Sequence, residues 1–112
     1  MLTSGDLINL ELGDPVGSEA GLRRLAVVVT AQTILDGGPN VVQVIPLTRT
    51  IRDSGAEVTL QPDPQNGLDA PSAAQCQHIR SVATGRISHI AGNVGPSALQ
   101  QIREIIALII DA

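Results

Sequence analysis

The sequence predicts a mainly β domain: a small antiparallel barrel finished by one C-terminal α-helix. Three observations carry this. Short apolar or alternating segments recur along the chain, each bounded by Gly, Pro, Asn or Asp, as strands separated by turns require. Only the stretch opening at Gly95-Pro96 carries apolar residues at helical spacing. The chain has 112 residues and 43% hydrophobic content, enough to bury one core but not to add spare layers. No internal repeat, low-complexity segment or linker interrupts it, so residues 1–112 read as a single domain.

Residues 5–12 alternate imperfectly, with Leu7, Leu10 and Leu12 apolar and Asn9 and Glu11 polar, which predicts a half-buried strand. Residues 13–22 contain Asp14-Pro15 and, flanking Glu19, the glycines Gly17 and Gly21, and predict a loop. The uninterrupted run Leu25-Ala26-Val27-Val28-Val29 lies in a second strand, 24–30, expected to be buried on both faces. A short irregular or helical piece at 31–35 leads to the loop Asp36-Gly37-Gly38-Pro39-Asn40. The β-branched segment 41–47 is the third strand, and Pro46 near its end predicts an edge or a bulge.

Asp53-Ser54-Gly55 turns the chain into Glu57-Val58-Thr59-Leu60, a period-2 strand with Val58 and Leu60 inward. Residues 61–71, with three prolines and Asn66-Gly67, predict a surface loop. A strand over 73–80 carrying Cys76, one helical turn at 82–86 and a last strand at 87–90 follow. In the final helix Pro96 suits the first helical position, with Gly95 as its cap. Ala98, Leu99, Ile102, Ile105, Ile106, Ile109 and Ile110 share one broad face; Leu108 falls on the polar side, which points to a contact outside the monomer core.

Composition narrows the function classes. No charged segment precedes an apolar one at the N-terminus and no apolar run approaches twenty residues, so a membrane-free, cytoplasmic location is expected. The lone Cys76 fits a reducing compartment. A net charge of −4 argues against tight non-specific RNA binding, and the absence of Phe, Tyr and Trp removes any aromatic platform for bases. All seven cations are arginine, however. Six of them (Arg23, Arg24, Arg49, Arg52, Arg80 and Arg86) lie in segments expected to converge, which leaves a local phosphate site open. The two histidines are eleven residues apart with no Cys or carboxylate at ligand spacing, and the glycines lack a Gly-Lys-Ser/Thr ending. No metal, cofactor or nucleotide loop is called for.

The stretch Gly17-Ser18-Glu19-Ala20-Gly21-Leu22-Arg23-Arg24 combines an acid on a loop with a guanidinium on the adjoining strand. Together with Gly5-Asp6-Leu7, Val44 to Arg52, Asn66-Gly67-Leu68, Pro71-Ser72 and Cys76-Gln77-His78-Ile79-Arg80-Ser81-Val82, it resembles the MazF/PemK/Kid family of toxin endoribonucleases. The likeness runs in order over nearly the whole chain. It implies an SH3-like, PemK/CcdB-like barrel that forms a homodimer, a metal-free cut in single-stranded RNA, and restraint by a small cognate antitoxin.

Such a cut needs a base for the 2′-hydroxyl proton, a cation for the pentacoordinate phosphate and an acid for the leaving 5′-oxygen. On the matched positions Glu19 is the base and Arg24 the phosphate clamp and possible acid; a solvated loop acid and a strand-end arginine are the alternatives. Thr48, and with it Thr50, supplies a hydroxyl for a phosphate oxygen, unless these hydroxyls satisfy their own loop backbone. Arg23, Arg49, Arg52 and Ser18 complete an RNA or antitoxin groove, with Arg80 as a further RNA contact.

The chain departs from the family pattern at Leu25, where proline is usual, at Ile8, where an aromatic is usual, and at Gln77-His78, where Asp-Gln is common. Gln77 cannot titrate, whereas His78 can shuttle protons near neutral pH. Cys76 reads as packing and His89 as structural or exposed. A barrel that keeps its antitoxin surface but has lost the cut is the alternative function, and a protein-directed toxin on the same barrel is a third.

Overall fold

The computed structural model describes residues 1–11 and 23–112. The loop expected at 13–22, with Ser18 and Glu19, lies outside the described residues, as does the side chain of Arg23. The strands are β1 (Asp6–Glu11), β2 (Arg23–Val28), β3 (Val41–Thr48), β4 (Glu57–Leu60), β5 (Ser72–Gln75), β6 (Arg80–Ala83) and β7 (Ile87–Asn93). A short helix α1 (Gln32–Leu35) follows β2, and α2 (Gly95–Ile109) ends the chain. The strands pair antiparallel in the order β4-β5-β3-β2-β1-β7, with β6 also on β3. Among the described residues the ladder does not close between β4 and β7, and α2 packs against β4 beside that opening. The expected mainly β architecture with one terminal helix is therefore present as an incompletely closed barrel.

Alternation along the central strands buries both of their faces. Leu7, Val27, Ile45 and Leu47 join Val58, Leu60, Ala74 and Cys76 in one core, sealed by Leu99 and Ile102 of α2. Ile8, Leu10, Ala26, Val28, Val42 and Val44 point the other way and form a second core with Leu35 of α1 and Val82 of β6. Neighbours in sequence thus belong to different cores, which explains why β2 reads as an unbroken apolar run.

The predicted strand at 73–80 is corrected to β5, a 3₁₀ turn at Cys76–His78, and β6. The reason lies in β3. Leu47 pairs with Ala74 and Val44 with Arg80. Two residues on β3, Ile45 and Pro46, thus face five from Gln75 to Ile79 on the partner chain. The bulge expected at Pro46 occurs in its partner, at the level where the proline offers no N–H to the ladder. Pro46 is not on an edge strand: it pairs with Ala26 of β2. The turn expected at 82–86 is confined to Thr84–Arg86.

Two further details refine the sequence reading. Gly95, expected as the helix cap, is instead the first residue of α2 with Val94 as the N-cap, and Asn93 Oδ1 accepts the Gly95 N–H at 2.8 Å. The Asn93 amide also donates to Asp6 Oδ1 at 3.0 Å, tying β1 to the helix start. The 61–71 loop is stitched down by buried Asn66, which accepts from Leu68 N–H and donates to the Gln61 carbonyl. Gly67 there has φ +71°, and a Cβ would overlap the Ala91 carbonyl of β7.

Candidate functional site

Register positions the candidate residues. The β2–β3 ladder ends at the pair Ala26–Pro46, and the alternation of each strand puts Arg24 and Thr48, two residues beyond it, on the same face. Thr48 pairs in turn with Ala73, and Ala73 with Thr59. These positions share one face, on the side away from α2, because Val27, Leu47 and Ala74 point into the helix-covered core. Arg24 and Thr48 thus lie on one face just past the last paired residues of β2 and β3, where a long guanidinium side chain can reach an anion held at Thr48. Arg24 is exposed and Thr48 half-buried at the end of the second core. The guanidinium offers five donors to an anion there.

Thr48 is anchored as well as available. Its Oγ1 accepts the Thr50 N–H at 3.1 Å, so the loop-backbone alternative raised for these hydroxyls is met at Thr48. That bond uses a lone pair, and the hydroxyl hydrogen remains free to donate to a phosphate oxygen. Arg49 and Thr50 are exposed in the loop that follows. Arg80 is exposed on β6 opposite Val44, further along the same face of β3.

Gln77 and His78 are pushed to the surface by the 3₁₀ turn. His78 is solvent-facing, and Gln77 is committed to a polar cluster that sequence reasoning missed. Glu57 is its centre. Glu57 Oε2 accepts from Arg52 at 2.7 Å, from Gln77 at 2.7 Å and from Gln75 at 3.3 Å. The hydrogen bond from Gln77, then that from Arg52, holds the Glu57 carboxyl below the usual carboxylate range, so it is ionised at neutral pH. Its side chain is only 3% exposed, while that of Arg52 is 54% exposed. The alternation of β4 placed Glu57 on the outward face, which was the available signal; its partners at 52, 75 and 77 come from three separate segments.

The remaining candidates do not join this face as sites. Burial pushes the Cys76 thiol up to about 11, and the residue lies beneath α2, so it packs as expected and is not a nucleophile. His89 is exposed on β7. Arg86 donates to the Glu11 carbonyl at 3.4 Å, beside the end of β1. Among the described residues no three His, Cys, Asp or Glu side chains gather as a metal would need, and no helix is long and apolar enough to cross a membrane.

A family profile for PemK-like, MazF-like toxins of type II toxin–antitoxin systems matches residues 3–110. The chain belongs to that family. A PemK/MazF relative from Mycobacterium tuberculosis strain ATCC 25618 / H37Rv, endoribonuclease MazF9, is 32% identical over 99% of this chain and 98% of its own length. Solved PemK/MazF structures share the fold. The Deinococcus radiodurans MazF superposes with a TM-score of 0.75 at 24% identity, covering 97% of this chain and 96% of that one. A mycobacterial endoribonuclease in complex with its cognate antitoxin gives 0.79 at 16% identity, covering 99% and 96%. As a PemK/MazF toxin domain, the chain carries its exposed Arg24 and anchored Thr48 on the face opposite the helix-covered core.

Proposed function

We propose that this protein is an endoribonuclease toxin that cuts single-stranded RNA at selected sequences without a metal. The observation that supports the reading is the β2–β3 register, whose last pair, Ala26–Pro46, leaves Arg24 and Thr48 on one face just beyond it. In the reaction, Glu19 takes the proton from a ribose 2′-hydroxyl, and the 2′-oxygen attacks the adjacent phosphorus. The P–O5′ bond breaks, and the 5′-oxygen leaves with a proton supplied by Arg24 or by solvent. Arg24 forks two non-bridging oxygens and Thr48 donates to one of them, so both bind most strongly when charge peaks in the transition state. Arg23, Arg49, Arg80 and Ser18 hold the flanking strand. His78 and Thr50 stand in reserve, as second choices for proton transfer and phosphate contact.

Partners follow from the same surface. A cognate antitoxin lays an acidic, partly apolar tail over the arginine-bearing groove and keeps the toxin inactive in the cytoplasm. Exposed Leu108 and Ile110 at the end of α2 favour a homodimer. The deciding experiment is purified protein on a long RNA in EDTA, with the new ends sequenced. Cleavage should be unimpaired by the chelator, and Glu19→Gln and Arg24→Lys should each slow it at least about a hundredfold while folding normally. Parent-like cutting by both variants would move the chemistry elsewhere; no cutting by the parent would leave an antitoxin-binding barrel.

A further inference from the structure

The Glu57 cluster is asymmetric. Three donors converge on Oε2, whereas Oε1 is shielded from solvent and has no hydrogen-bond partner among the described residues. A buried ionised oxygen without a donor is costly, so the position calls for an N–H or O–H partner. Glu57 also lines a hollow of about 240 Å³ beside Thr48's neighbour Ala73, with Ile51, Arg52 and Thr59 among its other walls. That volume is below the roughly 300 Å³ of the smallest drug-sized sites, so it suits one planar ring.

We propose that this hollow is a base-reading subsite in which Glu57 Oε1 accepts an N–H from one unpaired nucleobase of the RNA. This rests on the endoribonuclease reading above. The face argues for RNA: the hollow lies one strand beyond the row that holds Arg24 and Thr48, on the side where a phosphate chain would run. Its chemistry argues for an N–H donor, because a carboxylate oxygen can only accept. The carboxylate therefore favours the amino edge of cytosine, adenine or guanine over uracil, whose single N3–H lies between two carbonyls that the carboxylate repels. Access requires the Arg52 guanidinium to swing aside. Releasing Glu57, whose side chain is only 3% exposed, costs free energy, which the base N–H on Glu57 and a phosphate contact by the freed Arg52 offset.

The test uses the full chain and short 2′-O-methyl RNAs, which lack the attacking hydroxyl and report binding without cutting. Each carries either an amino base or uracil at one varied position. The parent should show one position where uracil weakens binding on the order of tenfold. Glu57→Gln should abolish that preference, since an amide presents either an acceptor or a donor, and Thr59→Leu should abolish it by filling the hollow. Thermal melting checks both folds, and the leucine variant decides if the glutamine variant melts. A parent with no uracil-excluding position, or either folded variant with the preference intact, overturns the proposal. So does a preference unchanged by Glu57→Gln while binding of the co-expressed antitoxin is lost. A parent that binds with the preference yet cuts no RNA would sink the enzyme reading and leave this one standing.

Discussion

Replacing Thr48 with valine separates anchoring from catalysis at the proposed phosphate site. Valine keeps the branched shape that suits a strand but removes the hydroxyl. In stability, the loss is the 3.1 Å bond from Thr50 N–H, which is exposed, so water can replace it. About 0.5 kcal/mol is the scale for such a bond. An unfolding entropy of about 2.1 cal/mol/K per residue gives this 112-residue chain about 0.24 kcal/mol/K. The melting temperature should therefore fall by only about 2 °C. In catalysis, the loss is a donor to the developing phosphate charge, and about 10²–10³-fold in rate is the expected scale, or about 2.7–4 kcal/mol. The activity effect should exceed the stability effect several-fold. Single-turnover cleavage of a short RNA in EDTA beside a melting curve reads both quantities. Cleavage within about threefold of the parent, at unchanged stability, would show that Thr48 only pins its loop and that the phosphate is held elsewhere.

Two other outcomes are expected. The Glu57 carboxyl titrates below its ordinary value of 4.5, so folding binds fewer protons there than unfolding does. Its stabilising contribution is complete above that ordinary value and is lost as pH falls through the lower folded one. Acid unfolding should accordingly be less steep in Glu57→Gln, and an equally steep profile would discount the carboxylate's pairing. Leu108 is 77% exposed, so Leu108→Asp should shift a dimer toward monomer in light scattering without lowering monomer stability by more than about 0.5 kcal/mol. A dimer unmoved by it would place the interface elsewhere.

The strands were legible where apolar spacing alone decides them. Val58 and Leu60 alternate inward, and the run at Leu25–Val29 sends successive residues into two cores. What stayed hidden depends on pairing across the chain. Residues 73–80 look like one strand until Pro46 meets them and forces the 3₁₀ step. The same limit applied to the site. Arg24 and Thr48 were named through resemblance, but only the β2–β3 register puts them on one face. Glu57 carried no local mark beyond its outward position, since Arg52, Gln75 and Gln77 reach it through a turn and a bulge. Gln77, read as a lost acid, instead proves to be a donor to that carboxylate.

The step opposite Pro46 also bears on how such a toxin can diversify. On one side of it β5 is locked to β4 and the end of β3; on the other β6 is locked to the start of β3. Residues inserted or deleted at the step would be absorbed between two ladders, and neither would slip its register. The side chains it displays, now Gln77 and His78, are exposed to solvent. A lineage could therefore reset the sequence a toxin cuts, or the antitoxin it obeys, at this one place while the scaffold beneath stays fixed.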